Sequence, residues 1–278
     1  MRKIIFLDVD GTLVNENGVI PESAKVAVQQ ARENGHLIFL CTGRSKAEIF
    51  PEIREVGFDG MIGAAGGYIE VGQDVLFHEL VKKEDLVQAV EFFDEHRVDF
   101  LLESNGGIFA SRNGKKHIRA IIEKLIIEKP EEKEEIQKGI QPFHDSIIDG
   151  ENLFRDDINK ISFLGSHVPI ELIREEFASI FTVIPSTVPV FGKNSGELSL
   201  PGIHKATAIE KLIGDLNIEK ENTFAYGDGM NDIEMLQYVQ HGIAMGNAKE
   251  AVKKVADDIT DTHDEDGIYN SFKKYGLI

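Results

Sequence analysis

The run Ile4-Ile5-Phe6-Leu7, cut off at once by Asp8-Val9-Asp10-Gly11-Thr12, constrains the fold of this chain more than any other stretch. Successive apolar residues leave no polar face. A strand built from them must be covered on both sides, as inside a parallel sheet flanked by helices. The next segments keep that rhythm. Pro21 opens a helical stretch with Ala24, Val28 and Ala31 at helical spacing and Gly35 as its stop. Leu37 to Cys41 reads as a second buried strand ending in Thr42-Gly43-Arg44, a helix is expected from about Lys46, and Met61-Ile62-Gly63 reads as a third strand. Strand and helix in alternation predict a parallel α/β sheet with right-handed crossovers.

The middle of the chain changes character. Between about Lys83 and Leu198 helical patterns mix with alternating strands, for example Asp99–Glu103, Lys160–Leu164 and Glu197–Leu200. Residues 83–198 are expected to form an inserted α+β domain, with hinges near Val81–Asp85 and Pro201-Gly202. The charge-dense Lys129–Lys138 reads as a solvated helix or loop. Phe92 and Phe93 sit in a helical pattern and read as core of that insertion. The α/β rhythm then returns. A helix is expected over His204 to about Leu216, a buried strand over Thr223–Tyr226 and a helix over Ile233–Tyr238. A strand at Gly242–Met245, a helix over Ala248–Ala256 and a short strand at Asp258-Ile259-Thr260 complete it. Residues 1–82 and 199–278 are therefore expected to make one Rossmann-like core.

Ligands of open parallel sheets bind beyond the carboxyl ends of the strands. Asp8 and Asp10 follow the first strand, Thr42 and Gly43 the second, and Asp228, Asn231 and Asp232 the strand near residue 226. The topology predicts that these carboxylates converge at one edge. Like charges so close repel, and a hard divalent cation with oxygen ligands resolves the repulsion. Neither Cys nor His stands in these motifs, which argues against zinc and for Mg²⁺ where phosphate oxygens complete the shell. Lys205 is expected to add a mobile cation, and the helix after Thr42-Gly43 to present N–H groups to an anion. Cys41, alone of its kind, rules out an intrachain disulfide and reads as a buried strand residue. His204 reads as surface. For Arg44 two readings stay open: an ion pair with a core carboxylate, or a substrate contact.

Composition narrows the partners. With 30 basic and 48 acidic residues the net charge is −18, which repels nucleic acid and anionic lipid. No apolar run approaches the roughly 18 residues of a membrane span, and Asp8 and Asp10 cut the first run well short of a signal peptide. The expectation is a cytoplasmic protein acting on a small molecule.

Asp8-Val9-Asp10-Gly11-Thr12 resembles the first motif of the haloacid dehalogenase-like superfamily, Thr42-Gly43-Arg44 the second and Lys205 the third. Gly227-Asp228-Gly229-Met230-Asn231-Asp232 resembles the fourth, and the order and spacing resemble the Cof-type phosphatases, which carry a large α/β cap. Two departures are Ala206 where relatives often have glycine, and Ala64-Ala65-Gly66-Gly67 where they often have Asn-Gly. The resemblance implies Mg²⁺-dependent hydrolysis of a small phosphate monoester, such as a sugar phosphate, through an aspartyl-phosphate. It implies Asp8 as nucleophile and Asp10 as the acid that protonates the leaving alcohol and then activates water. It implies Mg²⁺ held by the Asp8 carboxylate, the Asp10 main-chain carbonyl and Asp228, with Asp232 sharing the coordination or holding a bound water. Thr42, the Gly43 N–H, Lys205 and Asn231 would take the phosphoryl oxygens. The rival readings are a phosphomutase or phosphotransferase with the same site, and a silent phosphometabolite-binding module. The oligomeric state stays open between monomer and dimer.

Overall fold

Strand β1 (Ile4–Leu7) is fully buried because helices close over both its faces. Ile5 and Leu7 pack with Ala24, Ala27, Val28 and Ala31 of the helix Glu22–Glu33 and with Phe272 of the helix Gly267–Lys274. Ile4 and Phe6 pack on the other face with Ile209 and Leu212 of the helix Lys205–Asp215 and with Met235 and Leu236 of Ile233–Tyr238. The computed structural model describes residues 2–15, 18–186, 191–192 and 194–278.

The chain divides into two compact units, Met1–Arg44 with Ile49–His78 and Ile203–Ile278, and Ser45–Glu48 with Glu79–Gly202. In the first, β1, β2 (Leu37–Cys41), β3 (Gly60–Gly63), β4 (Tyr68–Val71) and β5 (Asp74–His78) come before the insertion. The second unit holds β6 (Asp99–Ser104), β7 (Gly107–Ala110), β8 (Ile147–Ile148), β9 (Ile158–Leu164), β10 (Thr182–Pro185) and β11 (Gly196–Ser199). β12 (Thr223–Gly227), β13 (His241–Ala244) and β14 (Asp258–Ile259) return to the first.

The first sheet has the order β14-β13-β12-β1-β2-β3-β4-β5. It is parallel from β14 to β3, and β4 and β5 add an antiparallel edge. The parallel core thus matches the α/β expectation. The two strands at this edge were not foreseen: β5 leaves Val75 and Leu76 of its run Val75-Leu76-Phe77 exposed. The helix expected from about Lys46 is a correction. A single 3₁₀ turn, Lys46–Glu48, is followed by the short helix Pro51–Arg54, because Pro51 lacks the N–H that would continue a helix and suits only its first turn. The helix expected over Ala248–Ala256 is likewise shorter, Glu250–Lys253.

The second unit is a sheet of order β10-β11-β9-β6-β7-β8, antiparallel except for the β7–β8 pair. Phe100 and Leu102 of β6 face a core with Phe93, Phe163 and Phe177, while Leu101 faces Ile118 and Ile122 of the helix Gly114–Glu128. The charge-dense stretch forms a 3₁₀ turn, Pro130–Glu132, and opens the helix Lys133–Ser146. Within this sheet Lys160 is buried between Glu103 (3.2 Å) and Glu197 (3.1 Å). Burial, then the charge of Glu48, push the Glu103 carboxyl well above the usual range, although Lys160 opposes them.

Candidate active site

β1 lies between β12 and β2, so the segments leaving these three strands are neighbours at one end of the sheet. Their carboxyl ends carry the residues singled out in the sequence.

Asp8, Asp228 and Asp232 come together, each offering a carboxylate oxygen within 4.8 Å of the others. Asp8 follows β1 and Asp228 follows β12, directly beside it. Asp232 ends the turn Met230–Asp232, and one of its oxygens accepts the N–H groups of Asp228 (3.0 Å) and Gly229 (2.9 Å). That contact folds the Gly-Asp-Gly-Met-Asn-Asp segment back on itself. Thr12 donates to Asp228 at 3.0 Å and ties the first motif to the last. Gly11 is required here. Its φ is +79°, and a Cβ at this position would fall 2.4 Å from Oδ2 of Asp228.

Lys205 corrects the expectation of a mobile cation. It is 1 % exposed, and its ammonium donates to Asp8 at 2.6 Å and to Asp232 at 2.5 Å. Burial alone would lower its pKa, but Asp232 and Asp8 raise it above the ordinary lysine value, so it stays charged. His204, exposed as expected, caps the helix that begins at Lys205, its ring accepting the Thr207 N–H at 3.4 Å.

Burial, and then the charge of Asp232, push the Asp8 carboxyl well above the carboxylate range against the pull of Lys205. The same two causes, in the same order, lift Asp228 to about 6. Burial pushes the Cys41 thiol up and keeps it neutral.

Three carboxylates against one ammonium leave a formal charge near −2 among oxygen donors only. That donor set fits one hard divalent cation, and Mg²⁺ is the cation of this kind that commonly shares its shell with phosphate. Asp8, Asp228 and Asp232 are the side chains placed to hold it.

Asp10 stands apart. Its carboxylate is not in the cluster, and its side chain is 63 % exposed. Both of its oxygens accept from Arg44, from Nη2 at 2.6 Å and from Nε at 3.0 Å. Of the two readings of Arg44, the ion pair is the one observed, with a carboxylate of the first motif. Thr42 is buried, and its hydroxyl accepts the Arg44 N–H at 3.1 Å. No atom outside the adjacent residues lies within 4 Å of where a Gly43 Cβ would be, which leaves that stretch of backbone open to a ligand. Asn231 is exposed on the turn before Asp232. The expected helix N-terminus after Thr42-Gly43 is absent, since only the 3₁₀ turn follows.

Asn247 was missed in the sequence. Its amide donates to the Gly11 carbonyl at 2.8 Å, and its carbonyl accepts the His263 N–H at 3.4 Å, bracing the first-motif loop. The signal was available, since Asn247 lies just beyond β13, which adjoins β12.

A family model for haloacid dehalogenase-like hydrolases matches residues 5–272. The chain belongs to this family. Among its relatives, the phosphatase YwpJ of Bacillus subtilis is 27 % identical over 98 % of this chain and 99 % of its own. The 5-amino-6-(5-phospho-D-ribitylamino)uracil phosphatase YcsE of the same organism is 26 % identical over 99 % of this chain and 96 % of its own. A solved haloacid dehalogenase-superfamily sugar phosphatase of subclass IIB superposes with a TM-score of 0.76 at 27 % identity, covering 99 % of this chain and 100 % of its own. No helix among the described residues is long and apolar enough to cross a membrane.

Proposed function

We propose that this haloacid dehalogenase-like hydrolase is a cytoplasmic, Mg²⁺-dependent phosphatase that hydrolyses a small phosphate monoester through an aspartyl-phosphate on Asp8. The observation that carries the proposal is the convergence of Asp8, Asp228 and Asp232 around one buried ammonium. The kinship with phosphatases supports the reaction class. The net charge of −18 favours a small ester over a nucleic acid.

In this reading the Asp8 oxygen attacks phosphorus while the bond to the ester oxygen breaks. Asp10 gives its proton to the departing alkoxide. A water then attacks the phosphoryl group of aspartyl-phosphate, Asp10 takes the water's proton, and Asp8 leaves as carboxylate with inorganic phosphate. Bound Mg²⁺ would supply charge neutralisation at the phosphoryl oxygens, held by Asp8, Asp228 and Asp232 with the Asp10 main-chain carbonyl. Lys205 holds Asp8 in place for attack, and its charge opposes the burial that raises the Asp8 carboxyl. Thr42, the Gly43 N–H and Asn231 are assigned to the phosphoryl oxygens. Residues 1–82 and 199–278 form the catalytic core in this scheme, and 83–198 the cap that selects the substrate.

The test is a screen of phosphorylated metabolites in Mg²⁺ that follows free phosphate and isomerised product together. It should include sugar phosphates and the phosphoribitylamino-uracil ester of the relative's name. Release of free phosphate without isomerised product is the expected result. Isomerised product without phosphate makes the protein a mutase, and binding without either product makes it a silent module.

A further inference from the structure

We infer that Arg44 serves the reaction through Asp10, as the residue that positions its carboxylate. This rests on the acid–base role proposed for Asp10.

The four carboxylates expected to converge separate into two groups. Asp8, Asp228 and Asp232 cluster inside, with the Lys205 ammonium between Asp8 and Asp232, and Asp10 pairs one to one with Arg44 outside. The two halves differ in freedom. Asp10 is 63 % exposed at the side chain, and the side-chain hydrogen bonds described for it both come from Arg44. Arg44 is 22 % exposed and its backbone is fixed at both ends. Its N–H donates to the Thr42 hydroxyl, and its carbonyl accepts the Ala64 N–H at 2.8 Å. Its guanidinium carbon also lies 6.0 Å from the centre of the Phe50 ring. A fixed guanidinium thus grips a carboxylate that would otherwise rotate in water.

The grip uses Nε and Nη2 on two oxygens. Such a fork sets the plane of the carboxylate as well as its place, which a point charge cannot do. An acid–base group must lie within hydrogen-bond reach of the proton it moves, so a carboxylate free to turn loses rate without losing substrate affinity. Arg44 is also the last residue of the first unit before the chain passes to Ser45–Glu48 of the second.

The experiment measures kcat and KM for wild type, Arg44→Met, Arg44→Lys, Asp10→Asn and the Asp10→Asn/Arg44→Met double variant. Two substrates are used, p-nitrophenyl phosphate and glycerol phosphate. The first leaving group needs little protonation and the second needs it fully. Arg44→Met should lower kcat on glycerol phosphate by about tenfold or more, a part of the roughly 10²–10⁴-fold that acid–base catalysis is worth. It should lower kcat on p-nitrophenyl phosphate much less, with KM little changed on either. Arg44→Lys should fall between, and it keeps the comparison usable if the Met variant does not fold. The double variant should be no slower than Asp10→Asn. A rise in KM with equal losses on both substrates would make Arg44 a substrate-binding residue and overturn the inference. Multiplying losses in the double variant would also overturn it, because Arg44 would then act apart from Asp10. If Asp10→Asn itself shows no dependence on leaving group, the acid–base reading fails first and this inference with it.

Discussion

The ammonium of Lys205 lies 2.6 Å from an Asp8 carboxylate oxygen and 2.5 Å from one of Asp232, with about 1 % of the lysine side chain exposed. A charge so placed is at once structural and chemical. It offsets repulsion between two buried carboxylates that a bound cation would otherwise have to offset alone.

Lys205→Met should therefore be costly in stability. Removing one partner of a buried ion pair leaves uncompensated charge and typically costs about 3–5 kcal/mol. Thermal melting with and without Mg²⁺ checks this. The variant should melt well below wild type, and added Mg²⁺ should recover part of the loss because it replaces positive charge at the same carboxylates. A melting temperature equal to wild type in EDTA would show that the pair contributes little.

Activity should need Mg²⁺ and vanish in EDTA. Ca²⁺ should inhibit, since it tolerates more ligands and longer bonds than an octahedral Mg²⁺ site. Calorimetry should detect Mg²⁺ binding to wild type and a much weaker signal for Asp228→Asn. Full turnover in metal-free buffer refutes the metal assignment.

Asp8→Asn should abolish phosphoenzyme formation. Asp10→Asn should accumulate it with p-nitrophenyl phosphate, because the first step needs little acid while hydrolysis of the aspartyl-phosphate needs the base. Acid quench followed by mass measurement of the peptide bearing Asp8 reads both. Label on another residue would displace Asp8 as nucleophile.

Gly11→Ala should lose Mg²⁺ binding and turnover while keeping its secondary structure. The new Cβ would meet Asp228 at 2.4 Å, and alanine at φ +79° costs about 1–2 kcal/mol besides. Circular dichroism and calorimetry on the same sample separate the two effects.

Glu103→Gln tests the buried network of the second unit. Burial first, then Glu48, raise the Glu103 carboxyl above its unfolded value. A raised acid keeps its proton in the folded state at pH values where the unfolded chain has lost it. The folded state then binds more protons, so stability falls as pH rises past about 4.3, the ordinary glutamate value. Melting temperature against pH should show this fall in wild type and a flatter line in the glutamine variant. A variant that falls as steeply as wild type would assign the slope to other groups.

Much of the core can be read in the sequence because local chemistry dictates it. The apolar run Ile4–Leu7 admits only a strand covered on both faces, and both faces are covered. The helix expected from about Lys46 begins instead at Pro51, after a 3₁₀ turn, since proline's missing N–H suits only a helix's first turn. β4 and β5 were not foreseen: β4 buries Tyr68 and Ile69 between its neighbours, whereas β5, at the edge, leaves Val75 and Leu76 exposed.

For the site, the sequence alone determined which residues leave which strand ends, because a strand's ends follow from its pattern. Pairing was decided only by the tertiary structure. Lys205 is 197 residues from Asp8 and 27 from Asp232, and it reaches both because its helix packs over the sheet between them. Arg44 meets Asp10 across 34 residues because β2 lies beside β1 and both strands end at the same level. A motif names a charge, but its partner depends on which strand lies alongside and how much water is left between them. Ion pairing depends on separation and local dielectric, and both are properties of the packed fold.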